Sequence, residues 1–376
     1  MNVVLLYGGK SGEHEVSLVS CSSVVRNINK NHMVTLISVS KDGRWYLEDS
    51  KCIEEIRNNP KAVLSVHAIE KNRVSVVPGG GREKSFYVDG YYIPCDVAFP
   101  VMHGTYSEDG TVQGLLEMAG VPYVGCGVLS SSATMDKEIT KILWQHAGLP
   151  VVPYFCITRA DVNDSVEYDK KINEAIEAFG YPLFVKPCCA GSSDGASKAS
   201  TLKELSVALM EAFQWDNKVL IEKSINAREV ECSVTGNSIT WSSDKPETIL
   251  TAYGPGEIVP THAFYDYDAK YTDPDGAELK IPVALPEDRL SYIRETAKKA
   301  YTAVNASGLS RVDFFIDKDT GAIYLNEINT IPGFTSISMF PKMCESTGLD
   351  YTSLIDLLFA QAKARFESVS TLRTSR

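Results

Sequence analysis

The sequence lacks the features that mark membrane, secreted and nucleic-acid-binding proteins. None of its apolar runs approaches the roughly 20 residues of a membrane-spanning helix. Its amino terminus has no basic segment and only a short apolar run, so we expect no signal peptide. Lys and Arg total 37 against 48 Asp and Glu, and the net charge of -11 opposes nucleic-acid binding. These absences predict a cytoplasmic protein that binds neither membranes nor nucleic acid.

Common nucleotide-binding and cysteine motifs are missing as well. The chain contains no G-x-G-x-x-G dinucleotide pattern. Gly9, Lys10 and Ser11 do not complete a G-x-x-x-x-G-K-[ST] phosphate loop, because the first glycine of that motif would fall at Val4. The nine scattered cysteines form no C-x-x-C pair, which excludes the usual zinc and dithiol motifs and fits a reducing compartment.

The first third of the chain alternates strand and helix patterns. Apolar runs predict the strands Val3–Tyr7, Val34–Val39 and Asp96–Val101. Helical spacing of apolar residues predicts helices over Val16–Ile28 and Thr111–Ala119. Such alternation is typical of an open α/β domain with a parallel sheet, whose sites lie at the carboxyl ends of the strands. Since 376 residues exceed the usual size of one core, we expect two or three domains.

The rest of the chain predicts a prominent helix, two further modules and a long loop. The helix covers residues 131–150 and can be capped by Ser132 or Thr134. Its helically spaced positions are Ile139, Ile142, Leu143 and His146. The strands predicted after it are Leu183–Lys186, Lys218–Glu222, Glu229–Thr235, Arg311–Ile316 and Ala322–Asn326, and the helices are Leu202–Phe213 and Pro286–Val304. Residues 252–282 show little periodicity, which at that length predicts a functional loop.

The most informative segment is a predicted hairpin that carries several polar side chains. If its turn centres on Thr320, Asp313 lies opposite Glu327. Strand alternation then places Arg311 beside Asp313 and Asn329 beside Glu327 on one face. Carboxylate and amide oxygens suit Mg²⁺, and an arginine can neutralise charge that develops on a phosphoryl or tetrahedral species. The hairpin therefore predicts a metal and phosphoryl site.

Two glycine-rich turns follow other predicted strands. Lys186 precedes the small-residue loop 188–195, whose backbone N–H groups could approach phosphate oxygens while the lysine adds a positive charge. Gly8 and Gly9 open a helix with Glu13 at its start, where a helix amino terminus can meet an anionic group. His103 follows the buried strand near residue 100.

Each of these segments also has an ordinary structural interpretation. The hairpin could present a solvated outer face, because Phe315 and Leu325 would share its polar side. A glycine-serine loop is often a surface turn, and Glu13 could simply cap a helix. A single histidine such as His103 is more often structural than catalytic.

Taken together in this order, the segments resemble the D-alanine–D-alanine ligases, a family with the ATP-grasp fold. The matching stretches are GGKSGEHEVS, HGTYSEDGTVQGLLE, YVGCGVLSSSATMDK, FVKPCCAGSSDG, VLIEKSINAREVECSV, FYDYDAKY, SRVDFF and LNEINTIPGFTSIS. The resemblance implies a three-domain α/β (α+β) ATP-grasp architecture with an open parallel amino-terminal domain. Its expected domains are residues 1–125, 126–224 and 225–376, the last with a catalytic loop at 252–282.

The resemblance also implies a reaction and its participants. ATP would phosphorylate the carboxylate of one D-alanine, and the amine of a second would displace the phosphate to form a dipeptide for peptidoglycan synthesis. Mg²⁺ or Mn²⁺, as two ions, would assist, and the protein would be a cytoplasmic homodimer. The barrier would be lowered mainly by positioning and charge neutralisation.

Individual roles follow from the same resemblance. The ATP contacts it implies are Lys137 and Lys186 at the phosphates, Glu222 and Glu229 towards adenine and ribose, and Lys270 at the γ-phosphate. Ser193 belongs to the same set of implied ATP contacts. The metal ligands it implies are Asp313, Glu327 and Asn329. The catalytic group it implies comprises the linked Glu13, Ser192 and Tyr271, and the oxyanion contacts Arg311 and Gly333. The substrate contacts it implies are Glu13 at the first ammonium, Ser338 and Met339 at the second carboxylate, and His103.

The chain departs from the family pattern at a few positions, and two other functions stay open. Cys189 stands where the phosphate loop usually has arginine, Asp194 where it has an apolar residue, and Ser107 where glycine is common. These changes leave a nucleotide-binding paralogue without ligase activity as one alternative, and a D-alanine–D-serine ligase as the other. Tyr271 is typical of ligases that use an amine and argues against D-lactate. The adjacent Cys188 and Cys189 could form a redox-sensitive pair.

Overall fold

The computed structural model describes residues 1–260 and 277–373. The first hundred residues form β1 (Asn2–Gly8), α1 (His14–Asn27), β2 (Met33–Val39), β3 (Trp45–Leu47), α2 (Lys51–Asn58), β4 (Ser75–Val76), α3 (Gly81–Lys84), β5 (Phe86–Val88), β6 (Tyr91–Ile93) and β7 (Val97–Pro100). The next elements are α4 (Thr111–Ala119), α5 (Val128–Met135), α6 (Lys137–His146), β8 (Tyr154–Thr158), α7 (Arg159–Asn163), α8 (Ser165–Phe179), β9 (Leu183–Pro187), β10 (Ser197–Ala199), α9 (Leu202–Trp215) and β11 (Lys218–Lys223). The last are β12 (Ala227–Asn237), β13 (Thr251–Pro260), β14 (Ala277–Lys280), α10 (Glu287–Ala303), β15 (Ser307–Asp317), β16 (Ile323–Asn329), α11 (Met339–Glu345) and α12 (Tyr351–Ser370).

The amino-terminal sheet has the strand order β3-β2-β1-β7, and β1 pairs in parallel with both β2 and β7. Residues 3–7 of β1 are completely buried, as expected for a strand covered on both faces. Gly8 ends the strand at φ +90°, and a Cβ there would lie 2.3 Å from the carbonyl oxygen of Val39. The prediction of an open parallel sheet is confirmed for β2, β1 and β7, whereas the edge strand β3 pairs antiparallel with β2. The turn after β1 depends on glycine.

A second, antiparallel sheet has the order β10-β9-β11-β8. Leu183 and Val185 of β9 pack with α9 in one hydrophobic core. The alternate residue Lys186 projects from the other face, as Glu222 does from β11. Period-2 alternation thus gives this sheet one apolar face and one face with charged groups.

The third sheet is antiparallel with the order β14-β13-β12-β15-β16. Val312 and Phe314 of β15 pack in a core with residues of α10, whereas Arg311 and Asp313 face away from that core. The register pairs Asp313 with Glu327 and Arg311 with Asn329, which confirms the predicted hairpin. These pairs place the polar side chains of the two strands opposite each other.

A bulge in this hairpin changes what lies on its polar face. The register shifts between Asp313 and Phe314, so that Phe314 pairs with Leu325 and Asn326 is the extra residue. Leu325 is consequently buried in the core, and the expectation that it would share the polar face is wrong. Asn326 is directed towards the charged side instead.

The single helix predicted over residues 131–150 is also wrong in its start and its buried face. Two helices, α5 and α6, meet at Asp136, which caps α6 by accepting hydrogen bonds from the backbone N–H groups of Glu138 and Ile139. The helically spaced Ile139 and Ile142 are exposed. The buried side chains of α6 are Thr140, Lys141 and Trp144. Helical spacing misidentified the face because a buried lysine occupies it.

The prediction of a loop over residues 252–282 is wrong at both of its described ends, which are strands. Strand β13 covers its beginning and pairs with β12, and β14 covers residues near its end and pairs with β13. Gly254, Pro255 and Gly256 hide the strand pattern, because they interrupt the side-chain alternation.

In the part of the chain that the structure describes, no helix is both long and apolar enough to cross a membrane.

Candidate active site

One cavity of about 950 Å³ collects charged side chains from the three larger sheets and their loops. The predicted residues that line it are Glu13, His103, Lys137, Lys186, Ser192, Ser193, Glu222, Glu229, Arg311, Asp313, Glu327, Asn329, Gly333, Ser338 and Met339. Lys270 and Tyr271 lie outside the described residues. Sequence positions more than 300 residues apart therefore meet in one space.

The hairpin supplies a network of charged groups. Arg311 forms a bidentate ion pair with Asp313, with both N–O distances at 2.7 Å. Asn329 donates from Nδ2 to Asp313 Oδ2 over 2.9 Å. Arg311 Nε also lies 3.1 Å from Glu231 Oε2. Sequence reasoning missed Glu231, although it is two positions after Glu229 and therefore on the same face of β12.

The oxygen donors on this hairpin fit a hard divalent cation. Asp313 and Glu327 face each other across the two strands, and Asn329 is hydrogen-bonded to Asp313. Carboxylate and carboxamide oxygens are the ligands that Mg²⁺ and Mn²⁺ prefer. The residues present therefore match the metal that the sequence predicts.

Two lysines connect the second sheet and its helices to the hairpin. Lys137 Nζ donates to the carbonyl oxygen of Ala190 over 2.6 Å and lies 3.7 Å from Glu327 Oε2. Lys186 Nζ donates to Asn326 Oδ1 over 3.0 Å. Both ammonium groups are thus held at the cavity wall next to the predicted metal ligands.

Glu222 lies between two lysines in a buried ion cluster. Its Oε1 is 2.9 Å from Lys141 Nζ and its Oε2 is 3.0 Å from Lys186 Nζ. Burial alone would raise the pKa of Glu222, but the two ammonium groups outweigh it and lower that pKa. Burial lowers the pKa of Lys141, and Glu222 opposes this effect. Sequence reasoning missed Lys141. Its position one helical turn after Lys137 could have indicated that the two lysines lie on neighbouring parts of one face of α6.

The glycine-serine loop touches the amino-terminal domain. Ser192 Oγ donates to Glu13 Oε1 over 2.6 Å. Ser192 and Ser193 adopt left-handed backbone conformations, with φ of +49° and +64°. A Cβ at Gly191 would lie 3.2 Å from Glu13 Oε2, so a small residue permits this close approach. Glu13 occupies the N-cap position of α1, but its side chain makes no capping hydrogen bond and accepts one from Ser192 instead.

His103 and Glu108 hold two loops together at the cavity. His103 Nδ1 lies 2.8 Å from the carbonyl oxygen of Ile331 and Nε2 lies 3.0 Å from Ser20 Oγ. Glu108 accepts hydrogen bonds from the backbone N–H groups of Gly104 and Ile331, at 3.0 and 2.9 Å. Burial, with a contribution from nearby Glu13, raises the pKa of Glu108 to about 7. The sequence stretch contained Glu108, but nothing local indicated that it would be buried.

The segment before α11 brings Gly333 and Ser338 together. Ser338 Oγ accepts a hydrogen bond from the Thr335 N–H over 3.1 Å and lies 2.8 Å from Thr335 Oγ1. A Cβ at Gly333 would lie 2.9 Å from Ser338 Oγ. Met339 begins α11, so backbone N–H groups at that helix start border the cavity beside Ser338.

The two adjacent cysteines have different neighbours. Cys188 is buried, and its thiol interacts with that of Cys156. The Cys189 N–H donates to Asp216, and burial together with Asp216 raises the pKa of the Cys189 thiol to about 12. All nine cysteines are free. The structure therefore does not support a Cys188–Cys189 pair, because each thiol is directed to a separate partner.

The other two departures from the family pattern also have places in the structure. Asp194 lines the cavity. Ser107 is buried, and its carbonyl oxygen accepts a hydrogen bond from Gln113.

Comparison with known proteins identifies the family. Residues 2–126 match the family model for the D-ala D-ala ligase N-terminus, and residues 143–360 match that for the D-ala D-ala ligase C-terminus. The D-alanine--D-alanine ligase of Treponema denticola is 54% identical over 376 residues, all of both chains.

Solved structures agree with the sequence comparison. The D-alanine-D-alanine ligase of Coxiella burnetii has a TM-score of 0.82 and 33% identity, covering 98% of this chain and 96% of that one. The VanG D-Ala:D-Ser ligase of Enterococcus faecalis has a TM-score of 0.79 and 37% identity, covering 96% and 100%. The fold is accordingly the α/β ATP-grasp fold of these enzymes. With both family models matched and the cavity residues assembled as described, the chain belongs to the D-alanine–D-alanine ligase family.

Proposed function

We propose that this protein is an ATP-dependent D-alanine–D-alanine ligase. The observation that carries the proposal is the convergence, in one cavity, of the hairpin carboxylates, two lysines and the Glu13–Ser192 pair. Family membership and the 54% identical ligase support the same activity. The product would be D-alanyl-D-alanine for peptidoglycan synthesis in the cytoplasm.

The first step joins phosphate to a carboxylate. A carboxylate oxygen of the first D-alanine attacks the γ-phosphorus of ATP, the bond to the β-phosphate oxygen breaks, and ADP leaves. Glu13 would hold the ammonium group of this D-alanine, while Lys137, Lys186 and Lys270 would contact the phosphates. Fixed positive charges around the transferred group stabilise its transition state without reorganisation.

The second step forms the peptide bond. The amine of the second D-alanine attacks the acyl phosphate carbon, a tetrahedral oxyanion forms, and inorganic phosphate leaves as the amine loses a proton. Arg311 and the Gly333 N–H would face the oxyanion, and Ser338 with the Met339 N–H would hold the second carboxylate. The linked Glu13, Ser192 and Tyr271 would receive or relay the proton.

Mg²⁺ or Mn²⁺ bound by Asp313, Glu327 and Asn329 would neutralise phosphate charge. Glu222 and Glu229 would face the ribose and adenine, with Ser193 at the phosphates and His103 beside the substrate.

We further propose that the chain is divided into domains at residues 1–125, 126–224 and 225–376. We also propose a homodimeric assembly, and light scattering of the purified protein would test it.

The reaction is tested by measuring phosphate release and dipeptide formation with ATP, Mg²⁺ and D-alanine. Glu327→Gln should lower kcat by about 100-fold or more, because the metal site loses a charge. The exposed Glu174→Gln on α8 serves as the matched control and should retain wild-type activity. ATP binding without D-alanine-dependent phosphate release would contradict the proposal and favour the nucleotide-binding paralogue.

D-serine is the second candidate nucleophile, and the 37% identity to a D-Ala:D-Ser ligase favours testing it. Competition between D-alanine, D-serine and D-lactate, read by mass spectrometry of the products, identifies the preferred second substrate. We expect D-alanyl-D-alanine to dominate. Predominant D-alanyl-D-serine would assign the alternative activity instead.

A further inference from the structure

A cluster of three side chains in the amino-terminal domain has no part in the proposed reaction. Glu48 follows β3, Cys52 lies in the first turn of α2, and His67 lies in the irregular segment after that helix. One ligand atom from each residue lies within 4.8 Å of those of the other two. None of the three lines the active-site cavity. They bring a carboxylate, a thiol and an imidazole to one point.

The carboxylate of Glu48 is buried and firmly oriented. Its Oε1 accepts hydrogen bonds from Ser38 Oγ over 2.6 Å and from the His67 N–H over 2.9 Å. Its Oε2 lies 2.7 Å from His67 Nδ1. Two donors therefore fix one oxygen, and the other points at the imidazole. Metal-binding carboxylates in proteins are commonly held by hydrogen bonds of this kind.

The imidazole of His67 is oriented from its far side. Its Nε2 lies 3.2 Å from Ser65 Oγ, which leaves Nδ1 directed to the cluster. The side chain is 53% exposed, so an ion in solution has direct access to it. A ligating histidine usually engages its second nitrogen in a hydrogen bond, and Ser65 provides that partner.

The third donor, Cys52, is a free and partly buried cysteine. Together with the Glu48 carboxylate, its thiolate would carry two negative charges, which a divalent ion neutralises. An electroneutral site lowers the cost of placing these charges next to the buried parallel sheet. A thiolate, an imidazole and a carboxylate are a donor set suited to Zn²⁺ and Co²⁺ rather than to Mg²⁺ or Ca²⁺.

From these contacts we propose that Glu48 Oε2, Cys52 Sγ and His67 Nδ1 bind one Zn²⁺ ion, with water as the fourth ligand. Tetrahedral zinc distances place such ligand atoms about 3.4–3.6 Å apart. The observed separations, from 2.7 Å to at most 4.8 Å, bracket that range. Binding releases the thiol proton of Cys52 to solvent, and the imidazole binds through Nδ1 as the tautomer that carries its proton on Nε2, next to Ser65 Oγ. The ion then joins the segment around His67 to α2 and the sheet.

Cobalt spectroscopy tests this site directly, because a thiolate ligand gives Co²⁺ a charge-transfer absorption in the near ultraviolet. The full-length protein would be stripped with a chelator and titrated with Co²⁺ while excess Mg²⁺ saturates sites made of oxygen ligands. We expect one Co²⁺ per chain with the thiolate band, and displacement of that band by Zn²⁺.

Matched variants assign the ligands. Cys52→Ser should abolish the thiolate band, and His67→Gln should weaken binding by about tenfold or more. Cys156→Ser and the exposed His146→Gln should leave band and affinity unchanged. Zn²⁺ should also raise the melting temperature of the wild type and not that of Cys52→Ser.

Three results would overturn the site: a wild-type chain without the band, a Cys52→Ser chain that keeps it, or unchanged affinity in His67→Gln. In each case the cluster does not bind a metal ion, and its role is the hydrogen bonding between Glu48 and His67. None of these readouts depends on ligase activity, so the proposed function stands or fails separately.

Discussion

Ser192 Oγ lies 2.6 Å from Glu13 Oε1, although the two residues are 179 positions apart in the chain. The contact joins the glycine-serine loop of the second sheet to the start of α1 in the amino-terminal domain. It places a hydrogen-bonded carboxylate where the ammonium group of the first substrate is proposed to bind. A polar contact between the glycine-serine loop and the start of α1 therefore lies at the wall of the cavity.

Replacing Ser192 by alanine removes this contact. A hydrogen bond to a charged group contributes about 1.5–3 kcal/mol, so kcat/KM for D-alanine should fall about 10-fold to 100-fold. ATP affinity, measured by calorimetry, should change little. The exposed Ser206→Ala on α9 is the control. Equal kcat/KM values for Ser192→Ala and the wild type would show that the contact does not assist the reaction.

Replacing Lys141 by methionine should destabilise the protein. Glu222 would keep Lys186 as its ion-pair partner but lose the buried ammonium group on its other oxygen. Breaking a buried pair in this way costs about 3–5 kcal/mol, which denaturant unfolding can measure. Gln145→Met, on the exposed side of the same helix, is the control.

A double variant tests the coupling between these residues. Lys141→Met with Glu222→Gln should be destabilised by less than the sum of the two single changes, because each of them already removes the Lys141–Glu222 ion pair. Simple additivity would mean that the two groups do not stabilise each other.

Glu108 should make stability depend on pH. Its pKa is raised from the usual 4.5 to about 7 in the folded protein, so the folded state holds the proton over a range where the unfolded state has lost it. The free energy of unfolding must therefore fall as pH rises through this range. Glu108→Gln lacks this titration.

Denaturant unfolding of both proteins between pH 5 and pH 8 measures the effect. The stability advantage of the wild type over Glu108→Gln should shrink by about 2–3 kcal/mol across this range. Glu174→Gln, an exposed change, should follow the wild type at every pH. A difference that stays constant or grows with pH would contradict the raised pKa.

Gly333→Ala should impair binding of the second substrate. The added methyl group would lie 2.9 Å from Ser338 Oγ and displace that hydroxyl from Thr335. We expect KM for the second D-alanine to rise about tenfold, as for Ser338→Ala, which loses a hydrogen-bonding hydroxyl. Since both changes act on one group, the double variant should be no worse than the more impaired single variant.

A matched glycine provides the control for this steric effect. Gly114 in α4 has room for a Cβ, whose nearest neighbour would be a methyl group of Val128 at 3.9 Å. Gly114→Ala should leave KM unchanged. A Gly333→Ala enzyme with wild-type KM would show that Ser338 does not hold the substrate.

Local patterns predicted much of the site. Strand alternation and a short turn predicted the hairpin and the pairing of Asp313 with Glu327. The turn itself does not centre on Thr320, because Ile316 pairs with Ile323, and it is the bulge at Asn326 that brings Asp313 opposite Glu327. Similarly, the strand that ends at Lys186 and the glycine turn before Glu13 were predicted from short stretches of sequence. In each case the structural rule involves residues close together in the chain.

Other features depend on contacts that no local pattern contains. The bulge at Asn326 moves Leu325 into the core, and helix α6 buries Lys141 while Ile139 and Ile142 are exposed. Glu108 lies next to Ile331, 223 residues later in the chain, whose N–H donates a hydrogen bond to it. The environment of each of these side chains is created by a segment from another part of the chain.

The sequence by itself determined most of the succession of strands and helices, the presence of the hairpin and the set of residues that carry the family's motifs. Only the tertiary structure decided which charges pair, as in the Glu222–Lys141–Lys186 cluster, and which carboxylates lose their contact with water. The physical reason is that the burial and pairing of a charge depend on distances between remote segments, whereas strand and turn preferences depend on near neighbours.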